Sequence, residues 1–134
     1  MSVSLTLDAV RARTKTVTRR HVDTWRTLAP GDRLTLIEKG TGLPKGAKQV
    51  IVAEVEVVDV RVLPLWPIGW DELRAEGLWD RARQVMDDLD SDETPSEWFC
   101  RFWLAGHGHN AADDPSEVMC RRIEWRYLDE DGGS

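Results

Sequence analysis

Several scarcities narrow what this chain can be. It carries two cysteines in 134 residues. Cys100 and Cys120 make no disulfide framework, so a reducing cytoplasm is the simpler expected setting. No apolar run approaches the ~20 residues that a membrane-spanning helix needs, and no membrane partner is expected. The first residues, Met1 to Leu5, lack a charged segment followed by an apolar block, and do not read as a signal peptide. Histidine is also rare, with three in the chain. Two of them form His107-Gly108-His109, whose spacing to either cysteine fits no standard zinc-ligand pattern. Neither a metal nor another cofactor is expected. His21, beside Arg19 and Arg20, reads as a surface histidine. No internal repeat or linker is visible.

What remains describes one folded domain spanning residues 1–134. The length suffices for a real core. The composition, 41% hydrophobic and 31% charged, is that of a water-soluble globular chain. The net charge of −6 opposes non-specific nucleic-acid binding. That charge is uneven. Residues 1–66 hold 11 Lys/Arg against 7 Asp/Glu, a balance of +4, while residues 67–134 hold 7 against 17, a balance of −10. A basic face in the first half, and a small or local ligand, fit this distribution.

The order of elements is α+β. Asp8 to Arg13 reads as a short helix, and Arg33 to Glu38 as a half-buried strand. Gly40 to Gly46, with Pro44, reads as a loop. Gln49 to Leu63 is a long valine-rich strand with one anomaly. Ile51, Ala53, Val55 and Val57 share a face, but from Val58 the apolar parity flips to Val58, Val60 and Val62. A flip of this kind predicts a β-bulge or sharp bend, the device by which small barrels close. Helical patterns follow. Asp71 to Glu76 ends at Gly77 in the C′ position, and Leu78 to Leu89 has helical spacing. After an acidic connector, Asp87 to Glu93, Thr94-Pro95-Ser96-Glu97 is a capping box with proline at the first helical position. Gly106 to Pro115 is a polar loop, Val118 to Leu128 a strand, and 129–134 a frayed acidic tail.

The run Thr14-Lys15-Thr16-Val17-Thr18-Arg19-Arg20 concentrates hydroxyls and cations on a β-branched, extended-leaning segment. A regular strand would place Thr14, Thr16, Thr18 and Arg20 on one face and Lys15, Val17 and Arg19 on the other. Its donors suit phosphate, carbonyl or base edge, and they equally suit a soluble edge strand.

Lys15-Thr16-Val17-Thr18-Arg19-Arg20, followed by the Gly31-Asp32 turn into a strand, resembles the ASCH domain. Glu76-Gly77 and the strand Arg122 to Leu128 extend the likeness over most of the chain. The resemblance implies a PUA-like small bent β-barrel with helices packed on its outside, and a pocket facing RNA or a nucleoside. The family often has glycine two residues before the lysine. Here that residue is Arg13, which a positive φ would strain. A bacterial branch of the family, the acetylcytidine amidohydrolases, hydrolyses an amide on a modified cytidine with a lysine, a threonine and a glutamate. These match Lys15 and Thr18 and fall near Glu76. In that scheme Thr18 attacks the acyl carbon, Lys15 takes the hydroxyl proton and Glu76 positions the lysine or water. A threonine needs such a base, and a lysine serves only with a lowered pKa. The scheme requires a bend between Lys15 and Thr18, which a regular strand would point apart.

The seven tryptophans complete the reading. Trp25, Trp66 and Trp70 are expected at a pocket, with Thr16, Arg19 and Arg20, as nucleotide- or RNA-binding residues. Trp79, Trp98, Trp103 and Trp125 are expected in the core. Three functions fit: a hydrolase of a modified nucleoside or RNA, a non-catalytic RNA-binding module, and a protein-interaction domain using the acidic, Trp-rich helices.

Overall fold

Long-range backbone pairing joins four strands, β1 (Val17–His21), β2 (Arg33–Ile37), β3 (Ile51–Pro64) and β4 (Met119–Tyr127), into one antiparallel sheet ordered β1-β4-β3-β2. The structure is a computed structural model that describes residues 1, 3–38, 50–89, 92–110 and 113–128. The expected loop at 40–46, the strand start at Gln49 and the tail 129–134 lie outside these residues. So do residues 90–91 of the acidic connector and 111–112 of the polar loop.

The sheet curls because β3 changes partners and bulges. Its first half pairs with β2 and its second with β4. The register steps from Val57 opposite Trp125 to Asp59 opposite Glu124, which leaves Val58 as the extra residue. The bulge falls at the parity flip in the sequence. The second apolar face is not buried as the first is. Beyond Glu56 no β2 residue pairs with β3, and Val58 and Val62 stay 40% and 45% exposed. The result is a four-stranded curled half-barrel with helices outside it.

Two apolar clusters hold this arrangement. One fills the concave side of the sheet with Leu36, Val55, Val57, Ile123, Trp125 and Tyr127, closed by Val10. The other packs the helices among themselves and onto Cys120. Helix α1 (Leu7–Arg11) follows a 3-10 turn at Ser4–Thr6, and stops short of the expected Arg13. Helix α2 (Trp70–Glu76) ends at Gly77, whose φ of +81° is the left-handed cap read from the sequence. Helix α3 (Trp79–Leu89) leads to α4 (Pro95–Gly106). Thr94 and Glu97 form both bonds of the capping box at the start of α4. Both cysteines are buried and free; burial pushes the Cys100 thiol up to about 12 and Cys120 up to about 11. No helix among the described residues is long and apolar enough to cross a membrane.

Candidate functional site

The bend that the lysine–threonine scheme requires is present. Arg13 adopts φ +62°, and the amides of Thr14 and Lys15 both turn back to the Ala9 carbonyl at 2.9 and 3.2 Å. Thr16 then donates to the Ala75 carbonyl of α2 at 2.8 Å, and ladder pairing with β4 begins at Val17. Lys15 therefore precedes the strand and escapes its alternation. Lys15 and Thr18 come to line one cavity of about 180 Å³, with Glu76 beside them.

Lys15 is the most constrained group there. It is 3% exposed. Its Nζ donates to the Val17 carbonyl at 2.8 Å and the Glu76 carbonyl at 2.6 Å, and lies 3.5 Å from Glu76 Oε1. Its own carbonyl accepts from the Trp125 indole at 3.1 Å and from the Tyr127 hydroxyl. Burial lowers its pKa to about 8; Glu76 opposes that shift, and Arg20 and Arg19 reinforce it. The ammonium donates to both carbonyls and turns its third N–H toward Glu76; on losing that proton the amine can keep both carbonyl bonds and present a lone pair. The Thr18 hydroxyl, on the cavity wall, makes no hydrogen bond to another described residue.

Glu76, the last residue of α2, is held from the other side. Arg19 donates to Glu76 Oε2 at 2.8 Å and to Glu72 Oε1 at 2.7 Å. Arg122 on β4 closes on Glu72 at 2.6 and 3.1 Å. Hydrogen bonds from Arg122, reinforced by Arg19, pull the Glu72 carboxyl down to about 2. Gly77 lets α2 approach: a Cβ there would stand 2.7 Å from the Ala9 Cβ and 3.4 Å from that of Lys15.

The expected binding residues divide. Arg20 lines the cavity. Arg19 reaches the cavity too, but its guanidinium is 2% exposed and engaged by the two glutamates, so it braces Glu76 rather than facing a phosphate. Thr16 serves through its backbone and does not line the cavity. The three tryptophans are elsewhere. Trp25 is 37% exposed at φ +57°, Trp70 is 56% exposed against Trp79, and Trp66 lines a different cavity beside Cys100 and Leu104. Sequence proximity to the motif did not carry into space. The wall is instead built by α4, with Phe99, Phe102 and Trp103, and by His107 after it. Trp103 donates its indole N–H to the Arg19 carbonyl at 3.0 Å, which fixes α4 on β1. His107 stacks on Trp103 with centroids 4.0 Å apart, and its Nδ1 meets the Trp103 carbonyl at 2.8 Å. The broad aromatic face of α4 was the available signal, and it is shared between core and cavity.

Two cavities are larger, at about 480 and 770 Å³. Neither contains Lys15, Thr18 or Glu76, so chemistry and not size selects the smaller one. No cluster of three metal-ligating side chains exists among the described residues.

No family model and no curated protein sequence matches the chain. Solved structures do. Protein EF3133 from Enterococcus faecalis V583, of family DUF984, superposes with a TM-score of 0.55 at 13% identity, over 93% of this chain and 71% of that one. The ASCH domain from Lactobacillus crispatus JV V101 superposes with a TM-score of 0.51 at 11% identity, over 92% and 70%. With the curled half-barrel and its outer helices, these likenesses give the chain the α+β, PUA-like fold of an ASCH domain.

Proposed function

We propose that the cavity takes the base of a modified nucleoside, in RNA or free, and hydrolyses an amide on it. One observation carries this reading: Lys15, Thr18 and Glu76 line a single cavity walled by aromatic side chains. Its volume of about 180 Å³ falls below the ~300–1,000 Å³ of sites for drug-sized ligands, and suits one heterocycle with its acyl group. In that wall half-buried Phe102 is the ring with surface on which a base can stack, with Phe99 and Trp103 buried behind it.

The chemistry follows from the groups. Neutral Lys15 takes the proton of the Thr18 hydroxyl as its oxygen attacks the acyl carbon. The tetrahedral adduct collapses, the C–N bond breaks, and Lys15 returns the proton to the departing exocyclic amine. Water, deprotonated by the same lysine, then cleaves the threonine ester and releases the acid. Glu76, held by Arg19, keeps the lysine in place and stabilises its protonated form between the two halves.

The test is release of acetate from N4-acetylcytidine by the purified protein, followed by chromatography. Lys15→Ala should lower turnover by about 100- to 10,000-fold, the range for a lost general base. Thr18→Ser should keep some activity and Thr18→Val almost none. Binding of the nucleoside without turnover would instead assign the cavity to a non-catalytic RNA-binding module.

A further inference from the structure

His107 lines the Lys15 cavity, and the proposed hydrolysis gives it no task. Its ring is fixed in two ways. It stacks on Trp103 at an interplanar angle of 12°, with centroids 4.0 Å apart. Trp103 is itself anchored, because its indole N–H donates to the carbonyl of Arg19, the residue after Thr18. His107 Nδ1 also lies 2.8 Å from the Trp103 carbonyl. A carbonyl only accepts, so Nδ1 carries a hydrogen there, and in a neutral ring Nε2 is then an acceptor.

The surroundings favour that neutral ring. Burial lowers the pKa of His107, the charges of Arg20, His21 and His109 push the same way, and the bond to Trp103 opposes them. Nε2 has no hydrogen-bond partner among the described residues, and it is not sealed from solvent, so it keeps open space before it. Lys15, Arg19 and Arg20 on the same cavity are donors, while the carboxylate of Glu76 receives Arg19 and faces Lys15. His107 Nε2 is thus an acceptor that no cation of the cavity engages. The exocyclic amino group of a base presents an N–H donor on its edge. An oxo group in the same place presents lone pairs, which would meet the lone pair of Nε2.

We propose that His107 Nε2 accepts the exocyclic N–H of the base in the cavity, which makes His107 a specificity determinant that admits an amino or acylamino base of the cytosine type and rejects an oxo base of the uracil type. The inference rests on the reading of that cavity as a base site. In an N-acylated base the one exocyclic N–H is on the scissile nitrogen, so the same hydrogen bond orients the amide. His107 then holds the leaving nitrogen while Lys15 and Thr18 act at the acyl carbon.

Calorimetric titration with cytidine and uridine tests the assignment. Cytidine should bind the wild type about ten-fold or more tightly, since one nucleoside gains a hydrogen bond where the other sets lone pairs against each other. His107→Leu should bring that ratio toward one. His107→Gln, whose side-chain oxygen can stand near the place of Nε2, should keep part of it. A merely structural role would weaken both nucleosides together and leave the ratio alone. Equal affinity of the wild type for cytidine and uridine overturns the proposal, and so does the full ratio in folded His107→Leu. If that variant does not fold, nitrogen NMR of histidine-labelled wild type decides. The resonance of unprotonated His107 Nε2 should move on addition of cytidine, and one that cytidine leaves in place refutes the assignment. Binding of neither nucleoside removes the base-site reading and this inference with it. Acetate release from N4-acetylcytidine with a ratio of one removes this inference alone, and cytidine preference without acetate release removes the hydrolase reading alone.

Discussion

In the proposed hydrolysis Lys15 is the base, and its titration would set the pH dependence. Its amine must be neutral to accept the Thr18 proton. Turnover should therefore rise with pH through about 8, where burial has placed its pKa, and level off above. The same shift predicts a stability effect of definite sign. Below about 8 the amine is protonated in both folded and unfolded states, and above 10.5 in neither. Between those values the unfolded chain holds a proton that the folded one does not, so stability should rise with pH across this window. The full rise would be about 3 kcal/mol for a shift of this size. Lys15→Met should lack it, so urea unfolding of both proteins from pH 7 to 10.5 should show their difference changing by that order. A constant difference would mean that the folded pKa of Lys15 is not lowered. Arg13 shows how a residue outside the site creates it. A left-handed backbone costs a non-glycine residue roughly 1–2 kcal/mol. Arg13 offsets this with a hydrogen bond to the Val10 carbonyl at 2.8 Å and a position 5.1 Å from the centroid of the Tyr127 ring. Those two contacts are worth about 1–2 kcal/mol together, enough to hold the turn without glycine.

At the scale of elements, the features readable in the sequence were the local ones. The capping box at Thr94, the glycine ending α2 and the bulge at Val58 each follow from a few neighbouring residues whose spacing admits one backbone path. The convergence of Lys15 with Thr18 was not readable, because it depends on a left-handed Arg13 and on α2 catching the Thr16 amide. The wall was not readable either. Phe99, Phe102 and Trp103 share an apolar helical face, and periodicity does not say which part of such a face meets a core and which a cavity. Trp25, Trp66 and Trp70 were expected at the site from sequence proximity and turn residues, and neither fixes a direction in space. The junction of α2 with the lysine turn gives an element-scale prediction. At Gly77 an added methyl would need φ +81° and would meet Ala9 Cβ at 2.7 Å. Gly77→Ala should destabilise the protein by about 2 kcal/mol or more, combining left-handed strain with overpacking. Activity of the folded fraction should fall too, since the clash pushes the Lys15 turn away from Glu76. Unchanged urea unfolding and turnover would show that the two elements can separate freely.

For the whole molecule, the division of charge along the chain does not become a division into two lobes. Strand β1 from the basic half lies beside β4 from the acidic half, and α2 packs on β1 and reaches β4 through Glu72. Arg19 of β1 lies opposite Arg122 of β4, and Glu72 is the carboxylate that links both to α2. It ties β1, β4 and α2 at one point, so its loss should be felt globally. Glu72→Gln would leave Arg19 opposite Arg122 with only their other partners, Glu76 and Glu124, to balance them. Breaking a buried pair costs about 3–5 kcal/mol. Glu72 keeps a side-chain exposure of 32%, and solvent screening reduces the expectation to about 2–3 kcal/mol. The pH dependence distinguishes this charge effect from lost packing. The Glu72 pKa is depressed on folding, to about 2 from 4.5. Its stabilisation is therefore complete above 4.5 and disappears as pH falls toward 2. Wild type should exceed Glu72→Gln most in urea unfolding near pH 6, and the gap should close between pH 4.5 and 2. A gap that stays constant down to pH 2 would assign Glu72 to shape alone, and the brace on Glu76 would then not be electrostatic.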